Sequence, residues 1–179
     1  MKQDVMLMVA GLMELAARTA PKAGGKDYIK TKIIGREELE KLADAMVEFG
    51  VRKNKKDFDR DGENVRNSDA VLLIALSNAK KLGLNCGACG FSTCAELPDT
   101  AESSEFAGPI CAWRLLDLGI ALGSAAKTAG LLNADNRIMY RIGAVARELK
   151  MIEGELVVGI PISATGKNIY FDRKPSTAL

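Results

Sequence analysis

All four cysteines of this chain, Cys86, Cys89, Cys94 and Cys111, fall between positions 86 and 111 of its 179 residues. The first three form a C-x2-C-x4-C run, Cys86-Gly87-Ala88-Cys89-Gly90-Phe91-Ser92-Thr93-Cys94, and Cys111 follows after sixteen residues. Four thiolates can close one tetrahedral shell around zinc or hold one cubane iron–sulfur cluster. The spacing therefore predicts a metal centre, and with it a fold that brings a short loop and one remote residue to the same place.

The length fits one medium-sized domain that needs no crosslink to bury a core. Met1 to Ala17 contains Asp4 and Glu14 and lacks a basic flank followed by a small-residue cleavage site, so no signal peptide is expected. The longest apolar run, Ala70 to Leu76, is far short of a membrane span. The expectation is a reducing, cytoplasmic setting, where grouped cysteines bind metal or do redox work more often than they form staples. Net charge is +2, and the one basic concentration, Arg52 to Lys56, runs straight into Asp57, Asp59 and Asp61. It has no aromatic platform beside it and reads as a solvated loop, not a nucleic-acid site. The chain has no histidine. That excludes His general bases, Ser-His and Cys-His pairs and His-ligated zinc, and it shifts any catalysis onto a cofactor.

Along the chain, Val5, Met8, Val9, Leu12, Leu15 and Ala16 recur at helical steps over residues 5 to 18, ended by Pro21 and Gly24-Gly25. Residues 28 to 34 alternate as a strand. Residues 36 to 49 form a second helix with Leu39, Leu42, Ala43 and Met46 inward, and Arg52 to Asn67 reads as a charged loop. Ala70 to Ser77 has the continuous apolar pattern of a strand covered on both faces. Trp113 to Leu132 reads as a central helix, with Gly119 and Gly123 packed closely on neighbours and Asp117, Ser124 and Lys127 marking a less buried side. A helix from Asp135 to about Lys150, with Ile138, Ile142, Val145 and Leu149 inward, and a buried strand over residues 156 to 162 complete the order. The whole reads as a single α+β domain over residues 1–179, helices around a small mixed sheet, with residues 83–112 as a cluster-binding insertion.

Structural zinc is usually held by two short knuckles. Here three ligands crowd one loop and the fourth stands alone, an arrangement that suits the wider body of a [4Fe-4S] cluster. Gly87 and Gly90 let the backbone wrap closely, so that its amides can point at sulfur and tune the reduction potential. Zinc remains the rival.

The stretch Asn85-Cys86-Gly87-Ala88-Cys89-Gly90-Phe91, with Cys94 and Cys111, resembles the four-cysteine [4Fe-4S] motif of the B subunits of Rnf electron-transport complexes and of corrinoid iron–sulfur proteins. Over nearly its whole length the chain also resembles the archaeal and bacterial DUF2148 family of ferredoxin-domain proteins. The matching stretches are residues 16 to 22, 63 to 69, 116 to 121 and 159 to 168. A further resemblance, to FMN-dependent nitroreductases, rests on Ala16-Ala17, Ala20-Pro21, Asp117-Leu118-Gly119-Ile120-Ala121, Ala125-Ala126, Gly130-Leu131, Val157 to Pro161 and Arg173, in that order. It implies a nitroreductase-like scaffold, FMN as a second cofactor and a homodimer with the flavin site between two chains. Arg173 would be the nearest partner for the flavin phosphate. The chain departs from that pattern at Lys22, where the family has Ser, and at Gly25, where it has the flavin-contacting Asn.

Three other signals carry less. Asp57 to Gly62 copies the start of a calcium loop, but Ser68 stands where a bidentate Glu is required, so a polar turn is expected. Gly159 to Lys167 has the wrong glycine spacing for a phosphate loop, and Ser163 to Asn168 is expected to form an ordinary turn. Glu96, Asp99, Glu102 and Glu105 are expected on a solvated spacer between Cys94 and Cys111.

The leading expectation is a [4Fe-4S] redox protein that passes single electrons to or from a redox partner protein, a small-molecule acceptor or a bound flavin. The alternative is a non-enzymatic module in which zinc or a cluster is structural or sensory and the tail binds a protein partner.

Overall fold

The computed structural model describes residues 2–172. A four-stranded sheet is sandwiched between two helical layers. In chain order the elements are α1 (Lys2–Thr19), β1 (Ile29–Ile34), α2 (Arg36–Arg52), α3 (Phe58–Arg66), β2 (Ala70–Leu76), β3 (Ala101–Glu102), β4 (Ala107–Gly108), α4 (Ala112–Leu131), β5 (Asp135–Asn136), α5 (Tyr140–Glu148) and β6 (Leu156–Ser163). The main sheet has the order β1-β2-β6-β5, and β3 pairs with β4 in a separate hairpin.

Every strand of β2 through β6 in the main sheet is antiparallel to its neighbour, as is β1 to β2, where a mixed sheet was expected. The reason lies in the connection. Two helices, α2 and α3, link β1 to β2, and an even number of helices returns the chain in the opposite direction. β2 is buried along its entire length. Its side chains alternate between two cores. Leu72, Ile74 and Leu76 join Met6, Val9, Met13 and Ala17 of α1 and Leu118, Ala121 and Ala125 of α4. Val71, Leu73 and Ala75 join Leu39, Leu42 and Met46 of α2, Phe58 and Val65 of α3 and Ile142 and Val145 of α5. A strand roofed on both faces is what a continuous apolar run produces.

The structure differs from the sequence expectation in four places. The expected loop over residues 52 to 67 contains α3. Phe58, Asp61, Gly62 and Val65 share its inner face, and Gly62 lets that face approach the Ala43 carbonyl of α2. The expected helix from Asp135 begins only at Tyr140, because Asp135 and Asn136 pair with Ser163 and Ile162 at the sheet edge. Ile138, expected inward, is exposed. The α1 period is helical, but the inward face is Met6, Val9, Ala10, Met13 and Ala17, while Val5, Met8, Leu12 and Leu15 are exposed. On α4, Gly119 and Gly123 face outward with open space around them, and Asp117 is buried.

Contact between α5 and β6 is close enough to require glycine. A Cβ at Gly143 would lie 1.7 Å from the Val157 carbonyl oxygen, whereas one at Gly11 of α1 would meet nothing within 4 Å. Gly143→Ala should therefore destabilise the fold by roughly 3 kcal/mol by forcing the two elements apart. Gly11→Ala should stabilise it by up to about 1 kcal/mol through helix propensity. Chemical denaturation of the two variants checks both signs.

Candidate metal centre

The loop carrying the first three cysteines leaves the top of the sheet after β2. Gly87 and Gly90 both take positive φ, 74° and 84°, a conformation glycine adopts without steric cost. The Gly90 amide donates to the Gly87 carbonyl at 2.9 Å, closing the turn between Cys86 and Cys89. Asn85 closes the loop at its base. Its carboxamide oxygen accepts from the Cys94 amide at 2.8 Å, and its own amide donates to the Cys94 sulfur at 3.4 Å. In the sequence Asn85 stands only as part of a motif; in the structure it holds Cys94 beside Cys86. The Lys81 ammonium donates to the Leu97 carbonyl and anchors the returning strand of the loop.

Cys111 is the N-cap residue of α4. The first amides of a helix have no partner within it and carry its positive end, and here they turn to sulfur. The Ala112 amide donates to the Cys89 sulfur at 3.2 Å. The Trp113 indole N–H donates to the Cys86 sulfur at 3.2 Å. All four cysteines line one pocket, together with Leu82, Leu84, Phe91, Leu97 and Trp113, and no carboxylate lines it. Their exposure is graded: Cys86 is open to solvent, Cys89 and Cys94 are half-buried and Cys111 is buried.

At Cys86 and Cys111 the surroundings favour thiolate. The Ala88 amide and then the Trp113 indole lower the Cys86 thiol below its ordinary value. Burial works to raise the Cys111 thiol, but the amides of Leu82, Trp113 and Arg114, with the Cys89 thiol, outweigh it and bring it down. All four thiols are free. Among the described residues, no three Cys, Asp or Glu side chains are drawn together tightly enough for a single metal ion. Sulfur donors alone, with N–H groups directed at them, form a set that fits an iron–sulfur cluster.

Directly behind the pocket, Arg114 and Asp117 form a buried ion pair at 3.0 Å. Arg114, 1% exposed, also donates to the carbonyls of Lys80 and Ala23 at 2.9 Å each and lies over the Tyr28 ring. Asp117 accepts from the Ala23 amide at 2.7 Å. The pair thus joins α4 to the segment after β2 and to the turn after α1. Its i, i+3 spacing is visible in the sequence, but by local pattern alone an Asp among apolar residues marks a solvent-facing side.

That turn is where the nitroreductase resemblance would place flavin contacts. The Lys22 ammonium is directed back at the carbonyls of Ala17, Arg18 and Ala20, at 3.3, 2.7 and 2.8 Å. Arg18 pairs with Asp27 at 2.6 Å and donates to the Ile29 carbonyl. Both of these cations are engaged in closing α1, and Lys26 is the exposed cation of the turn. Arg173 lies outside the described residues.

The remaining sequence signals resolve locally. Asp57 and Asp61 meet arginines: Asp61, 1% exposed, pairs with Arg60 and Arg141 at 2.8 Å each, and Asp57 with the same two at 3.2 and 3.3 Å. The segment read as a polar turn thus opens a helix whose carboxylates hold α5. In the tail, Thr165 donates to the Lys167 carbonyl at 2.7 Å, Lys167 pairs with Asp172 at 3.0 Å, and the Asn168 side chain accepts from the Tyr170 amide. Of the spacer carboxylates, Glu96 accepts from the Ser92 amide, while Glu102 and Glu105 reach Arg147 and Lys55.

The fold is that of the nitroreductases. The FMN-dependent nitroreductase NfnB from Mycobacterium smegmatis, solved in complex with NADPH, superposes over 91% of this chain and 80% of its own with a TM-score of 0.60 at 10% identity. A nitroreductase family protein from Clostridium novyi gives 0.57 over 90% and 77% at 14% identity. An oxidoreductase containing FMN gives 0.55 at 18% identity over 88% of this chain, which spans 66% of that protein's length. In sequence, the chain is 47% identical to a protein of Archaeoglobus fulgidus over 97% of this chain and 95% of the relative. Residues 107–173 match the family described as "uncharacterized protein containing a ferredoxin domain (DUF2148)", and the chain belongs to that family. The matched segment includes Cys111 and begins after the other three cysteines. Among the described residues, no helix is long and apolar enough to cross a membrane.

Removing the guanidinium behind the pocket leaves the buried Asp117 carboxylate without its counter-charge and the Lys80 and Ala23 carbonyls without this donor. Arg114→Leu should cost about 3 to 5 kcal/mol, read as a lower denaturation midpoint. Asp117→Asn, which keeps an acceptor for the Ala23 amide, should cost less.

Proposed function

We propose that this chain is an electron carrier whose Cys86, Cys89, Cys94 and Cys111 hold a [4Fe-4S] cluster. One observation carries the reading: four sulfurs converge on a single pocket free of carboxylates, with N–H donors aimed at them from the loop and from the first turn of α4. Membership of a ferredoxin-domain family and the fold of flavin oxidoreductases support a redox role. When bound, such a cluster accepts and releases one electron at a time.

The residues of the chain supply the rest. Leu82, Leu97 and the body of the fold cover the side of Cys111. The helix amides stabilise negative charge on sulfur and favour the reduced state. Cys86, at the open edge, is where a redox partner protein or a small-molecule acceptor would approach. In this reading, residues 83–112 are a cluster-binding insertion in one domain over 1–179, and the reduced thiols suit a cytoplasmic setting. FMN enters as an outcome of the test: Lys22 and Arg18 are engaged in closing α1, which leaves Lys26 as the exposed cation of that turn.

A homodimer fits the same scaffold. Val5, Met8, Leu12 and Leu15 of α1 and Leu116 and Ile120 of α4 are exposed on helices that pack against each other. Gly119 and Gly123 leave the α4 backbone open to close approach. A second copy seated there would bury both stripes.

Anaerobically purified protein, supplied with iron and sulfide, should be brown and contain about four of each per chain. Cys111→Ala should lose the colour while keeping its helical circular dichroism. Colourless wild-type protein with one zinc per chain would overturn the electron-carrier reading, and a flavin absorption spectrum would add FMN to it. Leu116→Glu combined with Ile120→Glu should convert a dimer to a monomer by light scattering without changing the iron content. A monomeric wild-type protein would remove the dimer.

A further inference from the structure

The sulfur nearest to solvent has a donor of a different kind from the rest. Cys89 and Cys94 receive backbone amides, from Ala112 and Asn85. A backbone donor survives any change of side chain. Cys86 also receives the indole N–H of Trp113 at 3.2 Å. Trp113 is the only tryptophan of the chain, and it projects from the first turn of α4, two residues after Cys111. It is 38% exposed, so its ring belongs to the rim of the pocket and not to either core. A large, half-open indole that directs its one polar atom at a cysteine sulfur is poorly explained by packing alone, since a buried indole N–H needs only some acceptor and an exposed one has water.

We propose that Trp113 sets the reduction potential of the centre by donating its indole N–H to the Cys86 sulfur, while its ring covers one side of that otherwise open sulfur. The proposal rests on the cluster reading above. Reduction adds one negative charge to the cluster, and part of it resides on the cysteine sulfurs. A hydrogen bond to sulfur strengthens as that charge grows, so the donor favours the reduced form and raises the potential. Because the bond sits at the edge where a partner would approach, it acts at the sulfur through which an electron most directly enters or leaves. Trp113 is a positioning and tuning residue, not a ligand.

Trp113→Phe keeps an aromatic face and deletes the donor. In protein loaded anaerobically with iron and sulfide and titrated with dithionite, the midpoint potential should fall. The expected shift is a threefold to tenfold change in the ratio of reduced to oxidised cluster, at most about 59 mV for one electron. Iron content and melting temperature should stay at wild-type values. Trp113→Leu should show the same fall and, in addition, faster bleaching of the cluster in air. The contact can also be read with no metal present. The single indole N–H gives one 1H–15N cross-peak, and Cys86→Ala should move it and speed its hydrogen exchange. A loaded Trp113→Phe protein with wild-type potential, or an indole peak indifferent to Cys86→Ala, overturns this proposal alone. A wild-type protein that takes up no cluster overturns it together with the reading on which it rests, and the two failures are told apart by the iron analysis.

Discussion

The guanidinium of Arg114 is almost closed off from water, and a charge in that position persists only if it is paired and hydrogen-bonded. It is matched by the Asp117 carboxylate, by the Lys80 and Ala23 carbonyls and by the face of Tyr28. These partners come from four separate stretches: α4, the exit of β2, the turn after α1 and the start of β1. The first turn of α4 is thereby fixed against the sheet, and the residue that opens it is Cys111. Cys86 to Cys94 are held to the same place by Asn85 and by the amides of that turn. The position of the sulfur pocket is thus set by a salt bridge behind it that contains no sulfur.

This dependence explains why the site and its support differed in legibility. The cysteine spacing identifies all four pocket sulfurs directly, because thiols in a tight cluster have few other uses. Glycines at 87 and 90 show as turn formers for the same reason. Arg114 and Asp117 look like surface charges in a one-dimensional reading, since charge usually marks solvent. Their burial follows from partners ninety residues away in sequence, which no local pattern reveals. Trp113 was equally silent: its role depends on where its N–H points, and that is set by the helix on which it sits.

The same division runs through the fold. β2 is readable because a strand covered on both faces must be apolar throughout, and Ala70 to Leu76 is. α3 is hidden because its inner face contains Asp61, a carboxylate neutralised by Arg60 and Arg141, so only Phe58 and Val65 remain as an apolar signal. β5 is two residues long and exists only through its pairing with β6. On α1 the period was plain but the face was not. The helix carries two apolar stripes, and the sheet takes the one rich in smaller residues, Ala10 and Ala17 among them, which lets the helix lie close. The bulkier stripe is left outside.

The outer margin of β1 has a separate consequence. It is the long edge of the main sheet, and beyond Ile29, whose backbone groups are taken by Arg18 and Asp27, an open edge of this kind could template the addition of a foreign strand. Lys30 and Lys32 stand on it, tethered to Glu153 and Glu38 at 2.9 Å each, and an incoming strand would have to desolvate those ammonium groups to dock. The opposite margin is the two-residue β5, too short to recruit anything. With both borders guarded in this way, the sheet resists the open-ended stacking that leads to fibrils, and contact with other chains is directed to the helical faces.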